Sequence, residues 1–278
     1  MKSASFTYER PGDLNAALAL MAQTDRNTKI IAGGQSLGPM LNLRLVQPDL
    51  VIDISNLAEL KQTACAGGDL MIGACVTHSD IEDGRVPDVT RGAMQRIAAA
   101  IAYRAVRNRG TIGGSLSHAD PAADWVSALS ALGAQVSLRS LSGTRQLSVE
   151  NFITGALQSA LRAGEIIELV SIPRLMRSAR FGYFKTCRKT GEFAHAISAV
   201  VIDPEQASAR AVIGAIDAAP IVLADAAALF GGRVTTDFER QFDAGAADTI
   251  LAKAGVSHPA ARHIHVAALR RAISEAAV

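Results

Sequence analysis

The chain has 278 residues, 49% hydrophobic and 19% charged, which is a globular composition and not a disordered one. Its 28 Lys and Arg against 26 Asp and Glu leave a formal charge of +2, too balanced to point to a nucleic-acid or membrane-surface partner. Three cysteines with no C-x-x-C pair exclude an iron–sulfur cluster or four-Cys zinc site on this chain alone, and the odd set fits a reducing cytoplasm.

At roughly 100–200 residues per domain, the length predicts two or three lobes. The stretch up to Leu14 lacks the apolar core of a signal peptide, and no run approaches the roughly 20 apolar residues of a membrane span. In the first lobe, Asp13 caps a helix carrying Leu14, Ala17, Leu18 and Met21 at helical spacing. Residues 28–32 predict a short strand that stops at Gly33-Gly34. Residues 37–45 predict a helical turn or two closed by Pro48, and 50–54 a β-branched strand. A second region, from about residue 61, opens with a strand over 69–74. A helix follows over 90–107, with Met94, Ile97, Ile101 and Val106 on its apolar side. A glycine-rich loop over 108–115 leads to a helix over 122–132 and strands at 136–138 and 164–172. The third region predicts three strands (181–187, 196–202 and 210–216) and then Ala-rich helices, the last one basic around Arg270 and Arg271. The expected class is α+β, divided at 1–60, 61–175 and 176–278. No fixed-period repeat suggests a solenoid.

Two segments carry the chemistry: Ala32-Gly33-Gly34-Gln35-Ser36 and Thr111-Ile112-Gly113-Gly114-Ser115. Each sets a Gly-Gly pair beside a small hydroxyl residue at the edge of a helical pattern. Glycine accepts positive φ and lets the backbone approach a ligand closely. Successive N–H groups then form a concavity for anionic oxygens, favoured further at a helix N-terminus. Two such loops could grip both phosphates of a pyrophosphate. Neither loop is G-x-G-x-x-G, and no G-x-x-x-x-G-K-[ST] occurs, so the residues alone leave a phosphate cradle and a plain turn both open.

The segment AGGQSLGPMLNLRLVQPDLVIDIS (32–55) resembles the first FAD loop of the flavoprotein subunits of molybdenum hydroxylases. RNRGTIGGSLSHADPAADW (107–125) resembles their second, and FGYFKTCRKTGEFAHAISAVV (181–201) the opening of their third domain. The order and length are those of the separate medium subunit of carbon monoxide dehydrogenase-type enzymes, which is similar to the FAD domain of xanthine dehydrogenase. The resemblance implies a vanillyl-alcohol-oxidase-type fold, in which two subdomains enclose FAD, with a further α+β domain. It assigns Ala32, Gly33, Gly34, Gln35 and Ser36, with Thr111, Ile112, Gly113, Gly114 and Ser115, to the pyrophosphate. It puts Asp124 at the adenosine side or its linker, Ile101 and Ile167 beside the flavin ring, and Lys185 at the ring edge. Phe193 is a candidate ring contact, while Phe181, Tyr183 and Phe184 are read as core. The sequence departs from the family at Ser115, where Asn is common, at Gly38, where an apolar residue is usual, and at Cys187-Arg188-Lys189.

The implied function is electron transfer. A molybdopterin-containing large subunit would oxidise a substrate, and a small subunit with two 2Fe–2S clusters would pass electrons to FAD here. The final acceptor would be NAD, a quinone, a cytochrome or dioxygen, and the assembly a dimer of heterotrimers in the cytoplasm. No residue of this chain is expected to be catalytic toward substrate or to bind metal. The alternatives are a self-sufficient flavin oxidase or reductase of the same fold and a non-redox scaffold that has lost FAD. Other constellations get plainer readings. Ser117, His118 and Asp120 or Asp124 lack the G-x-S-x-G elbow of a hydrolase. His258, His263 and His265 are read as surface residues, and His78 as helix capping and packing. Arg104, Arg107 and Arg109 are read as a solvated helix end or a subunit contact, and Cys187 as a buried strand thiol.

Overall fold

The computed structural model describes residues 2–23, 25–189 and 191–278. The first sheet is parallel and small, with β3 (Leu50–Asp53) between β1 (Thr7–Glu9) and β2 (Thr28–Ile31). Parallel neighbours need crossovers, which α1 (Leu14–Met21) and α2 (Leu37–Asn42) supply. Asp13 caps α1 by accepting the Ala16 N–H at 2.8 Å, and Leu14, Ala17 and Leu18 pack on Leu50 and Ile52. The helix expected to run to Leu45 ends at Asn42, well before Pro48. Arg44 takes φ +56°, and the Leu45 N–H reaches back to the Met40 carbonyl at 2.9 Å, the bond of a left-handed helix stop.

The second sheet is antiparallel in the order β4 (Thr63–Ala66), β5 (Asp69–Gly73), β10 (Ile166–Ile172), β6 (Gln135–Ser140) and β7 (Gly143–Ser148). Between β5 and β6 lie α3 (His78–Glu82), α4 (Ala93–Ala100), α5 (Arg104–Arg107), α6 (Ile112–His118) and α7 (Asp124–Ala131). Trp125, Leu129, Ile97 and Leu116 join Ile72, Val136 and Val170 in one core. Between β7 and β10 sit α8 (Val149–Phe152) and the hairpin of β8 (Ile153–Gly155) and β9 (Gln158–Ser159). The single helix expected over 90–107 is two helices. It breaks at Ile101 to Tyr103, where Ala102 adopts φ +41°, Arg107 of the next turn takes the Ile101 carbonyl and Lys185 takes that of Ala100.

The third sheet is a meander of β11 (Arg180–Thr186), β12 (Ala196–Asp203), β13 (Ser208–Gly214) and β14 (Ile221–Leu223), one strand more than expected. The alternation of β12 serves two layers. Ala199 faces the core that includes α7, and Val200 and Ile202 face the core that includes Leu269 and Ile273. After β14 come α9 (Phe238–Gln241), α10 (Ala244–Lys253) and α11 (Pro259–Ala277). His265, expected at the surface, is buried on the sheet-facing side of α11, and its Nδ1 has no partner among the described residues. Cys187 lies just beyond β11 and is half-buried, not a buried strand thiol. No helix among the described residues is long and apolar enough to cross a membrane.

Candidate functional site

A cavity of about 580 Å³ is lined by residues of all three lobes, from Lys29 to Phe193. The first glycine loop forms one wall. β2 ends at Ile31, the chain turns through Gly34 at φ +73°, and α2 begins at Leu37. The N–H groups of Gly33, Gly34, Gln35 and Ser36 find no acceptor among the described residues. The Ser36 hydroxyl makes no capping bond, so it too is available to a ligand. Four consecutive donors on a turn are what an anionic oxygen needs.

The second loop is built differently. Thr111 is the N-cap of α6, and its hydroxyl accepts the Gly114 N–H at 3.0 Å. The Ile112 N–H donates to the Val76 carbonyl at 3.1 Å and that of Gly113 to Ala74 at 2.9 Å. The Ser115 N–H donates to the Thr111 carbonyl at 3.0 Å. From Ile112 to Ser115 this loop therefore spends its backbone donors within the chain, and the Thr111 N–H alone has no acceptor among the described residues. Glycine is needed at 113 for packing: a Cβ there would lie 2.5 Å from the Ala74 Cβ. The two loops nevertheless adjoin. A Cβ on Gly33 would lie 2.0 Å from the Arg109 carbonyl oxygen.

Most of the residues expected from the sequence come together here. Ala32 to Ser36, Thr111 and Gly113 to Ser115 line the cavity, as do Ile101, Ile167, Asp124 and Lys185. Ile112 does not. Its side chain is fully buried in the second-lobe core and its N–H is used by Val76, so it supports the loop from behind the cavity wall. Phe193 is exposed and lines the rim.

Asp124 and Lys185, which the resemblance assigns to different parts of a cofactor, are one cluster. Lys185 Nζ donates to Asp124 Oδ1 at 2.7 Å and to the Ala100 carbonyl at 2.8 Å. The Tyr183 hydroxyl donates to the same Asp124 oxygen at 2.7 Å. Burial, and next the Asp124 charge, holds the Tyr183 phenol well above its usual pKa, so it stays protonated. From the sequence Tyr183 is expected in the core, and the structure gives its hydroxyl a polar role as well. The signal for it was its place two residues from Lys185 on one strand, which puts both on one face.

His78 was also missed as a cavity residue. It begins α3 behind a capping box of Thr77 and Asp80, and its ring accepts the Trp125 Nε1–H at 3.0 Å. Burial, helped by the charge of Arg107, pushes its pKa down to about 4. Cys75 lines the cavity as well, and burial drives its thiol up to about 12, so it is not a nucleophile at neutral pH.

The other expectations resolve in the same terms. Ser117, His118 and Asp120 line the cavity, yet no hydrogen bond joins any two of them, so nucleophile and base are not paired. Arg104 and Arg109 are exposed, Arg104 at the start of α5 while pairing with Asp83 at 2.6 Å, and Arg107 is the one that departs from a solvated helix end. Arg107 grips Glu82 through two bonds of 2.7 and 2.9 Å while holding the Ile101 and Ala102 carbonyls. Among the described residues, no group of three or more His, Cys, Asp or Glu is placed to hold a metal.

Residues 4–175 match the family model described as the FAD binding domain in molybdopterin dehydrogenase. The sequence is 35% identical over 225 residues to caffeine dehydrogenase subunit beta of Pseudomonas sp. (strain CBB1), covering 80% of this chain and 76% of that one. The fold superposes on carbon monoxide dehydrogenase from Hydrogenophaga pseudoflava, in a form lacking the Mo-pyranopterin moiety, with a TM-score of 0.89. That pair is 28% identical over 99% of this chain and 98% of that one. Quinoline 2-oxidoreductase from Pseudomonas putida 86 is similar too, with a TM-score of 0.86 and 31% identity over 100% of this chain and 98% of that one.

Proposed function

The chain belongs to the family of FAD-binding domains of molybdopterin dehydrogenases, and on that premise we propose that it is the electron-transfer subunit of such an enzyme. The observation that carries this reading is the run of four acceptor-free N–H groups at Gly33 to Ser36, set against the second glycine loop in one cavity. These residues fit FAD. The first loop would hold the diphosphate through backbone N–H groups and the Ser36 hydroxyl, with the Ser115 hydroxyl facing it from the second loop. Ile101 and Ile167 would supply apolar contacts to the flavin ring, with Phe193 at the rim. The Lys185–Asp124–Tyr183 cluster would present a paired charge to the cofactor, in which Lys185 donates and Asp124 accepts. The proposed division of labour along the chain follows the three sheets: 1–60 and 61–175 enclose FAD, and 176–278 closes the cavity with Lys185.

Bound FAD supplies a redox centre that exchanges electrons singly or in pairs. The chain's own part is to bind it, to keep water from the ring with apolar walls and to set its potential through fixed charges. In the assembly we propose, electrons arrive from a 2Fe–2S small subunit served by a molybdopterin large subunit, as a dimer of heterotrimers. They leave to NAD, a quinone, a cytochrome or dioxygen. Three free thiols fit a cytoplasmic setting. The test is an absorption spectrum of the purified chain after incubation with FAD. A flavin spectrum with one FAD per chain is expected, and bleaching by NADH would identify NAD as acceptor. A chain that stays colourless overturns the reading.

A further inference from the structure

Beneath the second loop lies a buried imidazole with one nitrogen bonded and the other facing the cavity. His78 is 5% exposed, and its backbone N–H donates to the Gly110 carbonyl at 2.9 Å. Its Nδ1 accepts the Trp125 Nε1–H. Indole is a donor only, so this bond fixes the tautomer: the imidazole proton sits on Nε2. That Nε2–H makes no hydrogen bond to any described residue, and the ring lines the cavity. The edge carrying it lies where the loops converge. A Cβ on Gly110 would lie 2.8 Å from His78 Cδ2 and 2.8 Å from Nε2, and one on Gly33 would lie 2.9 Å from the Gly110 Cα. Gly110 leads directly into Thr111.

We infer that His78 is a neutral hydrogen-bond donor to the cofactor's diphosphate, its Nε2–H serving an anionic oxygen held between the two glycine loops. The inference rests on the FAD reading above and adds a residue to it. It also adds a donor to a second loop that leaves only the Thr111 N–H without an acceptor among the described residues. Ile112, Gly113, Gly114 and Ser115 have all spent their N–H groups inside the chain, and His78 supplies a donor from that side. Protonation would put a second N–H at Nδ1 against the Trp125 N–H, donor facing donor, and the low pKa from burial and Arg107 fits a ring that stays neutral. The orientation is fixed before the ligand arrives, because Trp125 is fully buried and cannot swing away. A preset donor costs little ordering on binding.

Two substitutions in the full-length, deflavinated chain separate the two nitrogens. His78→Asn offers an acceptor near the Nδ1 position and nothing at Nε2. His78→Gln reaches the Nε2 position with an amide N–H. On titration with FAD followed by flavin fluorescence, Kd is expected to rise about tenfold or more in His78→Asn and to stay within about threefold in His78→Gln. In the parent chain labelled with 15N-histidine, the His78 Nε2–H resonance is expected to move downfield with FAD and not with riboflavin, which lacks phosphate. An unchanged Kd in His78→Asn, or equal losses in both variants, overturns the inference. So does an Nε2–H resonance unmoved at saturating FAD, a readout that holds even where a variant fails to fold. A parent chain that takes up no FAD overturns the FAD reading itself, and the two failures are thereby distinguished.

Discussion

The two glycine loops look alike in sequence and behave differently in space. In the first, Gly34 at φ +73° turns the chain so that four N–H groups stay unspent. In the second, Gly113 and Gly114 are helical, their N–H groups bond within the chain, and glycine at 113 exists to let α6 touch Ala74. One loop is a donor array; the other is a packing joint with a hydroxyl on its rim. A Gly-Gly-x-Ser or Gly-Gly-Ser string therefore does not reveal which role its glycines play. The acceptors that decide it, the Ala74 and Val76 carbonyls, lie more than thirty residues away in sequence.

The comparison can be broken most decisively at Gly33. Gly33→Ala places a Cβ against the Arg109 carbonyl, backbone against backbone, so neither side can yield cheaply. A loss of about 3 kcal/mol in denaturant unfolding is expected, the upper end of overpacking costs, together with loss of FAD uptake. Acid tests the support under the second loop. The folded His78 pKa of about 4 lies below the unfolded value of 6.5, so between those values only the unfolded chain takes up the proton. Stability is then complete above about pH 6.5 and falls toward pH 4, by on the order of 3 kcal/mol for this group. That share of the slope should vanish in His78→Asn, which has nothing to titrate. Gly113→Ala should cost about 2 kcal/mol in unfolding, because Ala74 is itself buried, yet a refolded fraction should still bind FAD. The opposite order, FAD lost with stability intact, would make Gly113 part of the cradle. The smallest effect belongs to Gly114→Ala. Gly114 is exposed and helical, and its added Cβ would come 2.8 Å from the Thr111 hydroxyl that caps α6. The helix propensity gained from Ala and the crowding of that cap oppose each other, so stability should change by less than about 1 kcal/mol, measured by thermal melt, and a larger loss of FAD affinity would then report direct contact with the cofactor.

Local signals were legible from the residues. Asp13 before Leu14 capped a helix, the β-branched run at 50–53 made a strand, and the Thr77-His-Ser-Asp80 pattern made a capping box. Short edge strands were not legible. β1 spans three exposed residues and exists because the carbonyl row of β3 was open to pair with it. The break at Ala102 was hidden for the same reason. Residues 90–107 carry helical spacing throughout, and the helix stops where Lys185 and Arg107 compete for the carbonyls that the next turn would use. His265 looked like a surface residue on a basic helix until the third sheet covered that face.

By itself the sequence determined the α+β class, the family, the two loops and the list of polar residues able to serve them. Those depend on local spacing and on residue chemistry, which no tertiary contact alters. The tertiary structure alone decided which N–H groups remain free, that Asp124 and Lys185 form one ion pair across 61 positions, and that the His78 proton sits on Nε2. A donor is available only when no acceptor elsewhere in the chain has been folded against it, and that accounting closes in three dimensions, not along the chain.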